Sequence, residues 1–239
     1  MDTFVVQELH KWVEITNSCR LLKAMDEDHL TPEQWKLWGV SRWRISWAFE
    51  RFLFGALRQA ERAGLDVLAY VLRQNLNDEL GIDRSGIVHP DRAHETWRRE
   101  FYGAIGLTYH EAARAVGNAQ VPSAVQPAAI YCGMISEILA TEDPLISAGA
   151  LWFLETEIPD ELRSVELGLS HLGLPEQRWV KDHILHDRQF HAKGLQHALD
   201  QSVQFTGLGR LFDPLVLCGI QRAADAKQAY FEAVEKVVL

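Results

Sequence analysis

WVKDHILHDRQFHAK, residues Trp179–Lys193, is the segment from which the fold of this chain can be worked out. It holds five side chains of the types that ligate metals: Asp182, His183, His186, Asp187 and His191. The composition favours a helix, and each residue of an α-helix turns by about 100°, so His183, Asp187 and His191 project from one side. That side is partly apolar, and polar groups buried there need a partner. A metal ion would supply one; a solvated, histidine-rich face is the alternative.

The whole chain has the composition of a globular domain. Its 239 residues are 47% hydrophobic and 24% charged, with a formal net charge of −9. The negative charge argues against nucleic-acid and anionic-membrane partners, which require basic patches. No apolar run reaches the roughly 20 residues of a membrane span, and the N-terminus lacks a signal-peptide pattern. Three scattered cysteines indicate reduced thiols, so we expect a cytoplasmic protein.

Apolar residues recur at helical spacing through most of the chain, and no segment shows the alternation of a strand. Thr31 followed by Pro32 marks a helix start, and Gly81 marks a helix end. We predict a break near Gly39 and a helix end at Pro159. The predicted helices are Thr3–Met25, a long one from Pro32, Leu65–Leu80, one from about Asp91, Tyr109–Val116, Ala128–Ala140, Leu145–Ile158, Trp179–Lys193, Gly194–Gln204 and Phe212–Leu239. The sequence therefore predicts an all-α bundle in a single domain, 1–239.

Three of these helices carry a stripe of apolar residues that leads to a ligand-type side chain. The first stripe extends to Glu79, the second starts at His94, and the third leads to Glu155, whereas Glu157 points the other way. The apolar members are Leu65, Leu68, Leu72 and Leu76 for the first stripe, Trp97, Phe101 and Ile105 for the second, and Leu145, Ala148 and Trp152 for the third. A carboxylate or imidazole in such a position is well placed to ligate a cation.

These residues together offer three carboxylates and three imidazoles. Oxygen and imidazole donors without thiolate suit iron or manganese better than a structural zinc site. Six protein ligands are too many for one metal with open positions, but they fit two metals that share a carboxylate. No histidine has a glutamate three residues before it, so the paired motifs of ferritin-like di-iron bundles are absent from the sequence.

Four segments in this order resemble the haem-oxygenase-like di-iron oxidases: NLNDELG (Asn75–Gly81), HETWRREFYGAIGL (His94–Leu107), ALWFLETEIP (Ala150–Pro159) and the His183–His191 helix. The resemblance implies a haem-oxygenase-like helical bundle that binds two Fe(II) ions and reacts with O2. It assigns six metal ligands, which would also form the catalytic centre: Glu79, His94, Glu155, His183, Asp187 and His191. Glu155 occupies the position that commonly bridges the irons. Two departures in spacing leave His89 as an alternative to His94, and Asp182/His186 as an alternative to Asp187/His191.

The function that this resemblance implies is that of an O2-dependent non-haem di-iron oxidase acting on a small amino acid. The length and the aromatic-rich first half are similar to a family member that converts a tryptophan-type amino acid to a nitrile, which would place the chain in natural-product biosynthesis. N-oxygenation and oxidative decarboxylation or C–C cleavage of another amino or fatty acid are alternatives within the family. Among partners we expect the substrate and a second copy of the chain in a homodimer.

Two alternative hypotheses about the function do not involve iron. A metal-free, thiaminase-like hydrolase would require a cysteine nucleophile, and Cys132 lies in an apolar helix without an activating base nearby in the sequence. A non-catalytic helical binding protein would gain nothing from buried carboxylates at Glu79 and Asp187. The eight tryptophans could form apolar walls for a flat substrate, but tryptophans on helices are more often part of the core.

Overall fold

The computed structural model describes residues 2–117, 125–140, 143–205 and 212–239. Every regular element in these ranges is helical. The elements are α1 (Thr3–Asn17), α2 (Arg20–Asp26), α3 (Pro32–Arg62), α4 (Asp66–Leu80), α5 (His94–Ala104), α6 (Tyr109–Gly117), α7 (Gln126–Leu139), α8 (Pro144–His171), α9 (Arg178–Asp182), the π-helix π1 (His183–His191), α10 (Ala192–Phe205) and α11 (Phe212–Val238). The predicted all-α class is confirmed for the described residues.

Helix α3 is the long aromatic helix that the sequence predicts, and it is continuous. Its start is fixed by a capping box, in which the Thr31 side chain accepts from the Gln34 backbone N–H and the Gln34 side chain caps Thr31 in return. The expected break near Gly39 is wrong. A Cβ at Gly39 would lie 2.6 Å from Ile105 Cδ1, so the glycine makes room for the Ile105 side chain, just after α5, without ending α3.

Two predicted helix boundaries are also wrong. The segment predicted as one helix over Thr3–Met25 is divided at Ser18 and Cys19 into α1 and α2. Helix α8 does not end at Pro159 but continues through it to His171. Proline at position 159 removes the N–H that would bond the Glu155 carbonyl, and its ring crowds that carbonyl. The buried residues on both sides of Pro159 keep the helix packed.

Helix α8 is the central element of the bundle, and it packs most extensively against α11. Two glycines make this contact possible. A Cβ at Gly149 would lie 2.2 Å from the Val216 carbonyl oxygen, and a Cβ at Gly219 would lie 2.0 Å from the Ile146 carbonyl oxygen. The two backbones therefore touch, and this contact fixes the part of α8 that precedes Glu155.

The histidine-rich segment is helical, as predicted, but it is not a uniform α-helix. Residues His183–His191 form π1, flanked by α9 and α10, and the Ala192 N–H bonds to the Asp187 carbonyl five residues earlier. Regular π-helical segments are rare and occur mostly at functional sites. Among the described residues, no helix is both long and apolar enough to cross a membrane.

Candidate metal centre

The structure brings all six ligand-type residues predicted from the sequence into the interior of the bundle. Each is at most 6% exposed. They form two adjacent triads whose ligand atoms lie within 4.8 Å of one another in each triad. The first triad, T1, is Glu79, His94 and His183; the second triad, T2, is Glu155, Asp187 and His191.

Triad T1 is built from three different elements. Glu79 comes from the last turn of α4, His94 from the first turn of α5, and His183 from the start of π1. The Glu79 Oε1 atom lies 3.0 Å from His94 Nδ1 and 4.0 Å from His183 Nε2. The two imidazole rings are 4.6 Å apart between centroids. One carboxylate and two imidazoles thus surround a common point.

Triad T2 combines the central helix with π1. His191 Nδ1 lies 3.4 Å from Glu155 Oε2 and 3.2 Å from Asp187 Oδ1. The other oxygen of Glu155 accepts a hydrogen bond of 3.3 Å from the Asn75 amide on α4. Asn75 is buried on the same helix as Glu79, so α4 supports both triads.

Each imidazole of the two triads is oriented through its second nitrogen. His94 Nε2 lies 3.4 Å from Asp182, His183 Nδ1 lies 2.8 Å from the Trp179 carbonyl, and His191 Nε2 lies 3.3 Å from Asp78. Metal-ligating histidines almost always make such a contact to a carboxylate or carbonyl, which fixes the ring orientation. The arrangement leaves the nitrogen that faces the triad free for a ligand.

The charges in T1 balance each other in the absence of a metal. Burial opposes ionisation of His94, but attraction to Glu79 and the contact with Asp182 outweigh it and raise the His94 pKa to about 10. Burial also opposes ionisation of Glu79, yet the neighbouring imidazole holds the Glu79 pKa below its usual range. Burial lowers the pKa of His183, and repulsion from the charge on His94 lowers it further. Attraction to Asp187 acts in the opposite direction but does not outweigh burial. His94 is therefore the protonated member of T1.

The T2 site carries an excess of negative charge. Burial raises the pKa of Glu155, and repulsion from Asp187 and Glu79 adds to it, while His191 acts in the opposite direction. Burial opposes protonation of His191, but Glu155 and the nearby carboxylates of Asp187 and Asp78 raise its pKa well above the usual value. Three carboxylates and three imidazoles in a dry interior are best stabilised by cations.

The donor set passes a direct test for metal binding. Among the residues that the structure describes, four buried atoms in the triads have no hydrogen-bond partner: His94 Nδ1, Glu155 Oε2, Asp187 Oδ1 and His191 Nδ1. They lie 3.0–3.4 Å from other triad atoms without hydrogen-bond alignment. Two cis ligands that are each about 2.1 Å from one ion lie about 3 Å apart. These residues therefore fit a pair of metal ions better than a network of hydrogen bonds.

The alternative ligands left open by the sequence occupy other positions. His89 Nε2 contacts Asp83, 2.8 Å away in the loop before α5, and belongs to neither triad. Asp182 contacts the outer nitrogen of His94. His186, one third exposed, contacts Asp78 on the solvent side of His191 and could join Asp78 and His191 around a cation.

A cleft reaches from the surface to His94 of T1 on this outer side. Its charged and aromatic lining residues are Asp78, Asp83, Asp182, His186, His94, Trp97, Arg92 and Arg178. The Arg178 guanidinium stacks over the Trp97 ring at 4.0 Å. The cleft thus opens T1 toward solvent at His94.

The other candidate groups in the sequence contribute differently. Burial raises the pKa of the Cys132 thiol to about 11, and the thiol donates a hydrogen bond to the Arg44 carbonyl, so it is not an activated nucleophile. Most tryptophans are core residues, as the more common interpretation predicts. Two of them also border T1, with the Trp97 ring 5.1 Å from His94 and the Trp179 ring 4.9 Å from His183.

A buried group of four charges was not predicted. Arg42 Nε contacts Glu161 at 3.1 Å, and Lys227 Nζ contacts Glu161 at 2.8 Å and Glu157 at 3.0 Å. We call these four residues the charge quartet. Glu157 does point away from Glu155, as expected, and it pairs with α11. Lys227, a basic residue among the alanines and aromatics of the last helix, is the signal in the sequence that would have indicated this group.

Comparison with known proteins agrees with the fold. Residues 36–208 match the model of a family described as iron-containing redox enzymes. A CADD-like protein of unknown function from Nostoc punctiforme PCC 73102 is 16% identical, with a TM-score of 0.73 over 98% of each chain. A TenA homolog from Pseudomonas syringae pv. tomato str. DC3000 is 13% identical, with a TM-score of 0.69 over 97% of this chain and 93% of that one. No curated protein sequence matches the chain. With 173 of its 239 residues in the family match, the chain belongs to the family of iron-containing redox enzymes.

Proposed function

We propose that this protein is an O2-dependent non-haem di-iron oxidase that acts on a small amino-acid substrate. The observation that carries the proposal is the pair of buried triads, whose three carboxylates and three imidazoles include four atoms without hydrogen-bond partners. Membership in a family of iron-containing redox enzymes agrees with it.

In this proposal T1 holds one iron through Glu79, His94 and His183, and T2 holds the other through Glu155, Asp187 and His191. Bound iron would supply the activation of O2. Asn75 keeps one oxygen of Glu155 occupied and thereby directs the other toward T2. The outer contacts to Asp78 and Asp182 hold two of the imidazoles in place.

The most specific reaction that we propose is the oxidative rearrangement of a tryptophan-type amino acid to a nitrile. Its support is the similarity in length and in the aromatic-rich first half to a nitrile-forming family member. The Trp97 and Trp179 rings beside T1 offer flat apolar surface for an aromatic side chain.

The test is Fe(II) loading of metal-free protein under anaerobic conditions, followed by exposure to O2 with a panel of amino acids and fatty acids. We expect two irons per chain, O2 uptake that depends on one substrate class, and an oxidised product identified by mass spectrometry. Retention of no iron, or absence of O2 uptake with every compound, would contradict the proposal.

A further inference from the structure

A third group of ligand-type side chains lies on the solvent side of T2. It consists of Asp78 in the last turn of α4 and of His186 and His191 from π1, and their ligand atoms lie within 4.8 Å of one another. We call these three residues the outer triad, T3. Asp78 and His186 also line the surface cleft, so T3 is open to solvent.

The two imidazoles of T3 converge on one carboxylate oxygen. His186 Nε2 lies 3.4 Å and His191 Nε2 lies 3.3 Å from the same Asp78 Oδ2 atom. Both contacts are longer than the usual N–H···O hydrogen bond of about 2.9 Å. Two ligands about 2.1 Å from one ion lie about 3.0 Å apart at a right angle and about 3.4 Å apart at the tetrahedral angle. The donor atoms of T3 are therefore spaced for a common ion.

His191 belongs to both T2 and T3. Its Nδ1 lies 3.2 Å from Asp187 and 3.4 Å from Glu155 in T2, whereas its Nε2 faces Asp78 in T3. A neutral imidazole has one nitrogen with a free lone pair and one N–H. His191 can therefore hold an ion on only one side at a time. When the ion lies in T2, Asp78 accepts the outer N–H.

Burial and negative charge both increase from T3 to T2. The side chains of His186 and Asp78 are 33% and 44% exposed, whereas those of Glu155 and Asp187 are at most 2% exposed. Water screens the attraction of an exposed carboxylate for a cation, so T3 holds an ion weakly and exchanges it quickly. T2 offers two buried carboxylates that need a cation, so an ion gains free energy by moving inward.

We propose that T3 is a docking site at which Fe(II) from solvent binds before it passes His191 into T2. Two imidazoles and one carboxylate are the donor set of mononuclear non-haem Fe(II) sites, which keep coordination positions open. The proposal rests on the proposed function, because T2 is the destination of the ion. It gives His186, which belongs to neither inner triad, a role in loading.

The first test asks whether T3 binds an ion when T2 cannot. The variant Glu155→Gln/Asp187→Asn removes both carboxylates of T2 and keeps T1 and T3. Equilibrium dialysis against excess Co(II) should give two ions per chain, one in T1 and one in T3. Adding His186→Gln should reduce the count to one, and adding His89→Gln instead should leave it at two. His89 is the matched control, because it contacts Asp83 at 2.8 Å and is similarly exposed but belongs to none of the triads.

The second test measures how fast iron enters an intact T2. Metal-free protein is mixed anaerobically with Fe(II), quenched with a chelator after set times, desalted and analysed for iron. We expect His186→Gln to fill its second site tenfold or more slowly than the wild type and to reach the same final count. His89→Gln should load at the wild-type rate.

Three results would overturn the docking site. They are equal Co(II) counts with and without His186→Gln, loading of His186→Gln at the wild-type rate, and a lower final iron count in His186→Gln, which would make His186 part of T2 itself. If the variant without the T2 carboxylates does not fold, the loading rates decide. Neither test uses O2 or a substrate, so absence of O2 uptake alongside the expected counts and rates would reject the oxidase function alone.

Discussion

At the scale of single residues, the surroundings of Glu155, the buried glutamate of T2, indicate its role. Glu155 is fully buried, and two other carboxylates repel it. A structural carboxylate would have a strong partner on both oxygens, whereas Glu155 Oε2 has no hydrogen bond. Burying this carboxylate therefore destabilises the metal-free protein, whereas a bound cation would compensate its charge.

Replacing Glu155 with glutamine separates these two roles. Gln keeps the shape and an acceptor for Asn75 but removes the repelled charge. We expect metal-free Glu155→Gln to be as stable as the wild type or more stable by about 1 kcal/mol, and to lose at least one bound iron. Chemical denaturation and elemental analysis measure the two effects. Glu137→Gln on the exposed face of α7 is the control, and loss of stability with full iron content would contradict the assignment.

The protonation states of the histidines predict a pH dependence of iron binding. Neighbouring carboxylates raise the pKa of His94 to about 10 and that of His191 well above its usual value, so both imidazoles hold a proton more firmly than a free histidine does in metal-free protein. Iron must displace these protons, and its apparent affinity therefore rises as the pH increases from 6 to 8.

Calorimetry in buffers of different ionisation enthalpy counts the displaced protons. We expect about two protons per chain, and about one fewer in His94→Gln. Binding without proton release, or an affinity that falls as the pH rises, would show that iron does not replace the protons on these imidazoles.

At the scale of helices, close contact between α8 and α11 determines where Glu155 lies. Because a Cβ at Gly219 would meet the Ile146 carbonyl at 2.0 Å, we expect Gly219→Ala to lower the free energy of unfolding by about 2 kcal/mol or more. The control is Gly133→Ala in α7, where a Cβ meets nothing within 4 Å. There the substitution should stabilise the protein by about 0.5–1 kcal/mol. Denaturant titration measures both, and equal effects would contradict this packing.

The charge quartet joins α3, α8 and α11 in the core. Lys227→Met removes one cation and leaves Glu157 and Glu161 with only Arg42, so we expect a loss of about 3–5 kcal/mol. Adding Glu157→Gln restores neutrality and should recover a large part of the loss. Urea denaturation of the single and double variants gives the coupling free energy between Lys227 and Glu157. Additive losses in the double variant would contradict the pairing.

The helical stripes explain why the site residues could be predicted from the sequence. Glu79, His94 and Glu155 each continue an apolar face, and the structure buries all three. The chain path through Pro159 and the π-helical geometry of His183–His191 were not predictable in the same way, because both depend on packing from neighbouring helices. Helical spacing also cannot indicate which partners meet across helices. The contacts of Asp78 and Asn75 could therefore be identified only from the structure.

At the scale of the whole molecule, a bundle of helices encloses two triads, and a surface cleft reaches T1 at His94. Iron bound to the folded chain but not to the unfolded chain also stabilises the fold by mass action. We therefore expect the thermal midpoint to rise on Fe(II) addition in the wild type and to rise by less in Asp187→Asn, which alters T2 but keeps the three ligands of T1. Anaerobic scanning calorimetry checks this, and an equal rise in both proteins would place the iron elsewhere.

Anomalous diffraction at the iron absorption edge from crystals of anaerobically loaded protein measures the central feature directly. Two iron peaks per chain are predicted, one surrounded by Glu79, His94 and His183 and the other by Glu155, Asp187 and His191. A single peak, or peaks outside these two groups of side chains, would contradict the di-iron account.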